Sequence, residues 1–161
     1  MPNVNPYKIG DDIYEQYSLT KKIPISAGLN VLKGVIYTLN SSGYLVAVPA
    51  AAAEEADLSK GAFQAKDNVD NTAGANGDLS VECLVLGAWI ILQAPAGLVI
   101  GQMVSLAVAV SVVDPDKTEG AITRDRGYLG RIYEILTKNT DSTNKIVTAD
   151  NDLIVIQSGV A

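Results

Sequence analysis

The chain has 161 residues, of which 48% are hydrophobic, and a net charge of −6. This length suits one domain with a substantial core, and the 12 Lys and Arg residues form no basic stripe of the kind that binds nucleic acid. The single cysteine excludes an intramolecular disulfide, and the absence of histidine removes the commonest general base and metal ligand.

Residues 1–24 predict an extended N-terminal arm. The segment has too few closely spaced apolar residues to form a core, yet it holds three of the seven tyrosines. Its aromatic and larger aliphatic residues are Tyr7, Ile9, Ile13, Tyr14 and Tyr17. Two placements stay open: the arm packs on its own domain, or it lies on a neighbouring subunit or partner.

From Ile25 onward, regularly spaced glycines and short apolar runs predict strands and turns. The first elements are a strand after Gly28, a strand at Val35–Leu39, a turn at Asn40–Gly43 and a strand at Tyr44–Val48. The segment PAAAAEEADLSKG then predicts one short Ala-rich helix, because Pro stands at its first position and Gly follows its end. A short strand is expected at Ala62–Ala65.

The charge-free run Cys83–Val113 is long enough to raise the question of a membrane span. Glycines and the turn signal APAG interrupt it and leave two strand-length pieces, Val81–Leu92 and Met103–Val113. In the second piece large and small residues alternate with a period of two, and acidic residues flank the run. A buried β core is therefore favoured, and no membrane partner is expected.

Two polar loops and two further strands complete the predicted domain. The loops are Lys66–Asp78 and Asp114–Asp125, and the strands are Tyr128–Leu136 and Leu153–Gln157. The acids of the first loop do not follow the spacing of an EF-hand, so a solvated loop is favoured over a calcium site. Together these elements predict a mainly-β chain, with residues 25–161 forming a single small β-barrel or roll.

Nothing in the sequence marks a catalytic, metal or cofactor site, so no enzyme is expected. Cys83, at the start of the apolar run, is interpreted as a buried small hydrophobe. The segment RDRGYLGRIYEI concentrates arginines and tyrosines, which are typical interface anchors. Two interpretations stay open for this segment: a strand edge that charge keeps soluble, or a contact patch. The candidate contact residues are Arg124, Arg126, Tyr128 and Arg131.

The order of five short segments resembles the small capsid decoration, or cement, proteins of tailed bacteriophages. The segments are AGLNVLKGVIYTLNSSGYLVAV, SKGAFQAKD, LGAWIIL, LVIGQMVSLA and GYLGRIYEI. In them a Lys-Gly step leads into a strand, a turn glycine precedes a strand, and a Gly-Arg-Ile strand stands near the C-terminus. The resemblance covers roughly residues 25–157.

The resemblance implies a β-barrel or β-tulip body on the outer surface of an icosahedral head, assembled in the host cytoplasm and often trimeric. It also implies that the chain clamps subunits of the major capsid protein, with a contribution from the arm. The expectation is a structural virion protein and homotrimer without nucleic acid or cofactor. Two alternatives stay open: another phage structural protein, such as a head-fibre base or tail component, or a small-ligand or glycan-binding β-barrel that uses Trp89 and the tyrosines.

Overall fold

The computed structural model describes residues 8–9, 11, 19–48, 60–85, 89–94, 96–106, 113–114, 128–136 and 152–158. The strands are β1 (Thr20–Pro24), β2 (Asn30–Val31), β3 (Ile36–Leu39), β4 (Leu45–Ala47), β5 (Phe63–Ala65), β6 (Val69–Asp70), β7 (Ser80–Leu84), β8 (Trp89–Ala94), β9 (Met103–Leu106), β10 (Val113–Asp114), β11 (Tyr128–Ile135) and β12 (Asp152–Ser158). The chain is mainly β, which confirms the predicted fold class.

The strands form two five-stranded sheets and a two-stranded ribbon. Sheet I has the order β1-β7-β5-β3-β4, sheet II has the order β10-β9-β11-β12-β8, and the ribbon joins β2 to β6. Neighbouring strands are antiparallel in every ladder.

One face of sheet I is buried against the ribbon and the turns around it. Val81 and Cys83 alternate along β7 with the exposed Glu82, so both point to this face. Tyr37 lies on the same face, and its hydroxyl accepts a hydrogen bond of 2.9 Å from Leu32 N. The buried members of this cluster are Ile23, Ile25, Val31, Tyr37, Leu45, Ala65, Val81 and Cys83.

The second core cluster joins the two sheets. Strand β8 contributes Ile90 and Leu92, which alternate with Ile91 on the opposite face of sheet II. Sheet I contributes Ile36 and Leu84 to the same cluster. Sheet II is also buried on its other face, by Ile91, Leu136 and Val155.

Gln64 supplies a polar tie between the sheets. The side chain, in β5, is 1% exposed, and its Nε2 donates to Gly34 O at 3.1 Å and to Ile91 O at 2.8 Å. Because Ile91 belongs to the edge strand β8, this amide joins sheet I directly to the edge of sheet II.

Among the described residues the sheets are open, so of the two predicted forms, a barrel or a roll, the closed barrel is not observed there. Sheet I approaches closure at one isolated parallel bridge, between Ile25, directly after β1, and Leu45 in β4. Pro24, directly before this bridge, has no N–H with which a ladder could continue along β1. A curled open sheet is the result.

Most predicted strands are present near their predicted positions. The piece predicted as Val81–Leu92 is instead two strands, β7 in sheet I and β8 in sheet II. Strand β6 lies within the predicted loop Lys66–Asp78, and residues 20–24, assigned to the arm, form β1. The predicted Ala-rich helix, over residues 49–59, lies outside the described residues.

The loop after β6 is built around a buried asparagine. Asn71 is 1% exposed, and its Nδ2 donates to Ser26 O at 2.9 Å and to Ala75 O at 3.1 Å. Asn71 Oδ1 is buried without a hydrogen-bond partner, next to the backbone of Gly74. The loop is thus fixed to the chain around Ser26 rather than loosely solvated.

No helix within the described ranges has the length and apolar character needed to cross a lipid bilayer.

Candidate interaction surfaces

The predicted contact residues are distributed over two separate parts of the fold. Ile9 lies against sheet I, Tyr128 is the first residue of β11 in sheet II, and Arg131 follows in the same strand. The other candidates lie outside the described residues: Tyr7, Ile13, Tyr14, Tyr17, Arg124 and Arg126. The structure therefore offers two surfaces, one for each group of candidates.

The first surface is the turn Leu32–Gly34, here called the notch. Gly34 has φ +87°, a left-handed conformation that glycine adopts without steric cost. The Cγ2 atom of Ile9 occupies the space where a side chain at position 34 would begin. The absent side chain at Gly34 is what allows Ile9 to approach the backbone.

An ion pair fixes the same part of the arm beside the notch. Lys33 Nζ lies 2.8 Å from Asp11 Oδ1, and Lys8 N donates to Asp11 Oδ2 at 2.8 Å. Burial raises the pKa of Asp11, but the hydrogen bonds from Lys33 and Lys8 and their positive charges outweigh it, so the pKa lies below the ordinary value. Asp11 is thus a charged, paired carboxylate.

Hydrogen bonds from other residues of the domain fix the backbone of the notch. Lys33 N donates to Asn68 Oδ1 at 2.8 Å, and Gly34 N donates to Ala65 O at 2.8 Å. Gly34 O accepts the hydrogen bond from Gln64 described above. At Lys8, Ile9 and Asp11 the arm of this single chain packs on its own domain, at a turn whose backbone is already fixed. Placement of the arm on a neighbouring subunit or partner stays a prediction.

The second surface surrounds a β-bulge in β11. Ile132 and Ile135 both belong to the core cluster between the sheets. In a regular strand two residues separated by three positions would point to opposite faces. The register with β12 shifts between Ile132 and Glu134, which leaves Tyr133 as the additional residue. Tyr133 is 51% exposed. Its ring meets Trp89 edge to face, with ring centroids 4.3 Å apart and an interplanar angle of 64°.

Arg131 and the turn before β9 extend this surface. Arg131 Nη1 donates to Gly101 O at 2.9 Å, and Gly101 N donates to Ile132 O at 2.8 Å, so the turn is fastened to β11. Val99 and Ile100, directly before Gly101, are about 40% exposed. The residues Trp89, Val99, Ile100, Arg131 and Tyr133 are here called the contact face.

The sequence pointed to the Arg- and Tyr-rich segment, but Tyr133, which is exposed, was not among the candidate contact residues. Strand alternation alone cannot locate a bulge, because one additional residue reverses the direction of every later side chain. The spacing of Ile132 and Ile135 in the sequence was the available signal. Trp89 is half-buried: it packs against the core cluster of Ile91, Leu136 and Val155 and also on the exposed ring of Tyr133.

The described residues offer little for chemical catalysis. Cys83 is fully buried, and desolvation, with a smaller effect of the Glu82 charge, raises the pKa of its thiol to about 12. No three Asp, Glu or Cys side chains of the described ranges gather as metal ligands would. A groove of about 470 Å³ lies beside β1 and β7. Its described lining residues are Lys21, Lys22, Asp67, Glu82 and small or branched neighbours, with no aromatic residue among them.

Comparisons with protein-family models, with curated proteins and with solved structures found no significant match.

Proposed function

We propose that the chain is a structural virion protein that decorates and cements the outer surface of an icosahedral phage head by binding subunits of the major capsid protein. The observation that carries the proposal is the contact face. Tyr133 is half-exposed yet braced by Trp89, and Arg131 is held by a backbone carbonyl. Aromatic and arginine side chains that are fixed before binding lose little conformational freedom, and they dominate protein interfaces.

The framework behind the face suits a cementing role. The segments on which the resemblance rests contribute β3, β4 and β5 to sheet I and β8, β9 and β11 to sheet II. The shared core and the Gln64 tie make these sheets one rigid body. A rigid body with one modest contact surface holds a shell through many weak contacts acting together.

The proposal is tested by co-sedimentation with expanded heads assembled from the companion major capsid protein without this chain. We expect saturable binding at a fixed ratio to that protein. Tyr133→Ala should weaken binding on the order of tenfold, because truncating a central aromatic anchor commonly costs this much or more. Leu79→Ala is the matched control, since Leu79 is a similarly exposed apolar residue away from the contact face. Absence of binding by the unaltered chain would refute the proposal.

The proposed assembly is a homotrimer on the head. Sedimentation velocity of the free chain and stoichiometry on the head test this separately from the binding itself. A trimer without affinity for heads would favour the alternative of a head-fibre base or tail component.

The pair of Trp89 and Tyr133 also favours a second candidate function, glycan binding. Aromatic rings fixed at a surface can stack against sugar faces, and this pair is partly exposed. The groove beside β1 is less suited to this function, because the described residues that line it include Lys21, Lys22, Asp67 and Glu82 and no aromatic residue. A panel of glycans that raises the melting temperature of the native chain, but not of Tyr133→Ala, would favour this candidate over decoration.

A further inference from the structure

We infer that the notch is a binding site for a short peptide segment in which isoleucine is followed two residues later by aspartate, and that the arm of a second copy of this chain occupies it by exchange. The cis-bound segment Lys8–Asp11 shows what the site recognises: an aliphatic side chain over Gly34 and a carboxylate on Lys33.

The notch has the rigidity of a preformed site. Its backbone polar groups are paired within the domain, through Asn68, Tyr37, Ala65 and Gln64. None of these hydrogen bonds involves the arm. The turn therefore keeps its shape when the arm leaves, and a replacement segment meets no cost of reorganising it.

The attachment of the arm at this point is modest. Among the described residues it consists of one side chain over a glycine and one ion pair whose partners are 40% and 29% exposed. Exposed ion pairs contribute little to stability, because water and salt screen them. Release of the segment is consequently frequent compared with unfolding of either sheet.

A second copy supplies an occupant of identical chemistry. Residues 12–19 join Asp11 to β1, and a chain of this length spans at most roughly 30 Å when fully extended. Exchanging identical segments keeps every contact of the site, so the balance between own arm and neighbour's arm depends on local concentration. A tether of this kind corresponds to an effective concentration on the order of millimolar. Under the proposed function, copies crowded on a head reach a local concentration at which binding of a neighbour's arm competes with binding of the chain's own arm.

The ion pair itself allows a direct test on the unaltered chain. Equal amounts of ¹⁴N- and ¹⁵N-labelled protein are mixed without heads, at concentrations up to about millimolar. A carbodiimide then joins carboxylates to amines in direct contact, and mass spectrometry identifies the linked peptide containing Asp11 and Lys33. We expect mixed-label linkages to increase with protein concentration, because each one records an arm in the notch of another copy.

Two controls separate exchange from collision. Lys22 and Glu82 stand opposite each other in β1 and β7, and they cannot exchange between copies while sheet I stays folded. Mixed-label linkage at this pair measures chance contact. Ile9→Asp should abolish the Asp11–Lys33 linkage, single-label and mixed-label alike, whereas Ile9→Val should retain it.

Linkages that stay single-label at every concentration, or that mix no more than those of Lys22 and Glu82, would overturn the inference. Since no heads are present, this outcome leaves the proposed decoration function untouched. Mixed labelling with no binding to heads would likewise preserve the exchange and remove the proposed function.

Discussion

Replacing Gln64 with glutamate would keep the shape of the side chain and remove the two N–H groups that tie the sheets together. The amide is 1% exposed and donates to Gly34 O and Ile91 O at 3.1 and 2.8 Å. A protonated carboxyl group has one proton to donate and serves only one of these carbonyls. An ionised carboxylate serves neither, and it faces both oxygens with a negative charge.

The expected loss of stability follows from these contacts. One buried acceptor without a partner costs about 1–3 kcal/mol, which describes the protonated variant. A buried charge without a partner costs more, about 3–5 kcal/mol, as when a buried ion pair loses one member. In a chain of this size one kcal/mol corresponds to roughly 2–4 °C. The melting temperature of Gln64→Glu should therefore fall by roughly 6–20 °C at neutral pH.

The pH dependence gives the result that distinguishes this reasoning from a simple packing defect. Burial raises the folded-state pKa of the introduced carboxyl above its unfolded value, so the folded state holds the proton more tightly. The loss is then smallest below the unfolded pKa and grows as the pH rises through the folded one. Urea unfolding of the unaltered chain and the variant at pH 4 and pH 8 measures this loss of stability. Gln64→Leu, which introduces no titratable group, should show a pH-independent loss. An equal loss for Gln64→Glu at both pH values, or none, would refute the argument.

Three further predictions concern other buried groups. Cys83 should resist thiol reagents until the chain unfolds, because burial raises the pKa of its thiol to about 12. The free energy of unfolding should also fall above pH 9, where the thiol ionises in the unfolded chain but not in the folded one. Gly74→Ala should lower the melting temperature, since the added methyl group would meet Asn71 Oδ1, whereas Gly97→Ser, at a site open to solvent, tests only backbone strain at φ +98°. Tyr37→Phe should cost about 1–3 kcal/mol in urea unfolding, because Leu32 N would lose its acceptor; an unchanged midpoint would contradict that hydrogen bond.

Short apolar runs between glycines and turn residues predicted most strands of both sheets, because each strand buries at least one face with branched residues. Strand β8 illustrates this, since Ile90 and Leu92 enter one cluster and Ile91 the other. Turn chemistry was equally informative at the β3–β4 hairpin. Asn40 Oδ1 accepts from Ser42 N and Tyr44 N, and Gly43 has φ +84°.

Closure and sheet membership were beyond the sequence. The apolar character of Val81–Leu92 is the same on both sides of the break, so nothing local shows that β7 and β8 join different sheets. A barrel and a curled open sheet have the same alternation. The difference depends on a few backbone groups, such as the missing N–H of Pro24 beside the Ile25–Leu45 bridge.

The candidate surfaces, too, could be predicted only in part from the sequence. Tyrosines and arginines identified the relevant segments by composition, whereas the partners that give them geometry are distant in sequence. Lys33 forms an ion pair with Asp11, 22 positions away in the sequence, and Arg131 donates a hydrogen bond to Gly101 O, 30 positions away. The bulge that leaves Tyr133 exposed arises from a register shift against β12, which no local pattern encodes.

The two surfaces are joined by the same side chain that ties the sheets. Gln64 holds Gly34 O in the notch and Ile91 O two residues after Trp89, so the arm site and the contact face keep a fixed relation while this amide is in place. A substitution confined to the surface at either end, such as Ile9→Val or Tyr133→Ala, should leave the other end unaffected. Gln64→Leu should loosen both, because it releases a carbonyl at each surface. Head binding and arm exchange measured on these three variants would therefore show whether the rigidity of the body, rather than either surface alone, sustains both interactions.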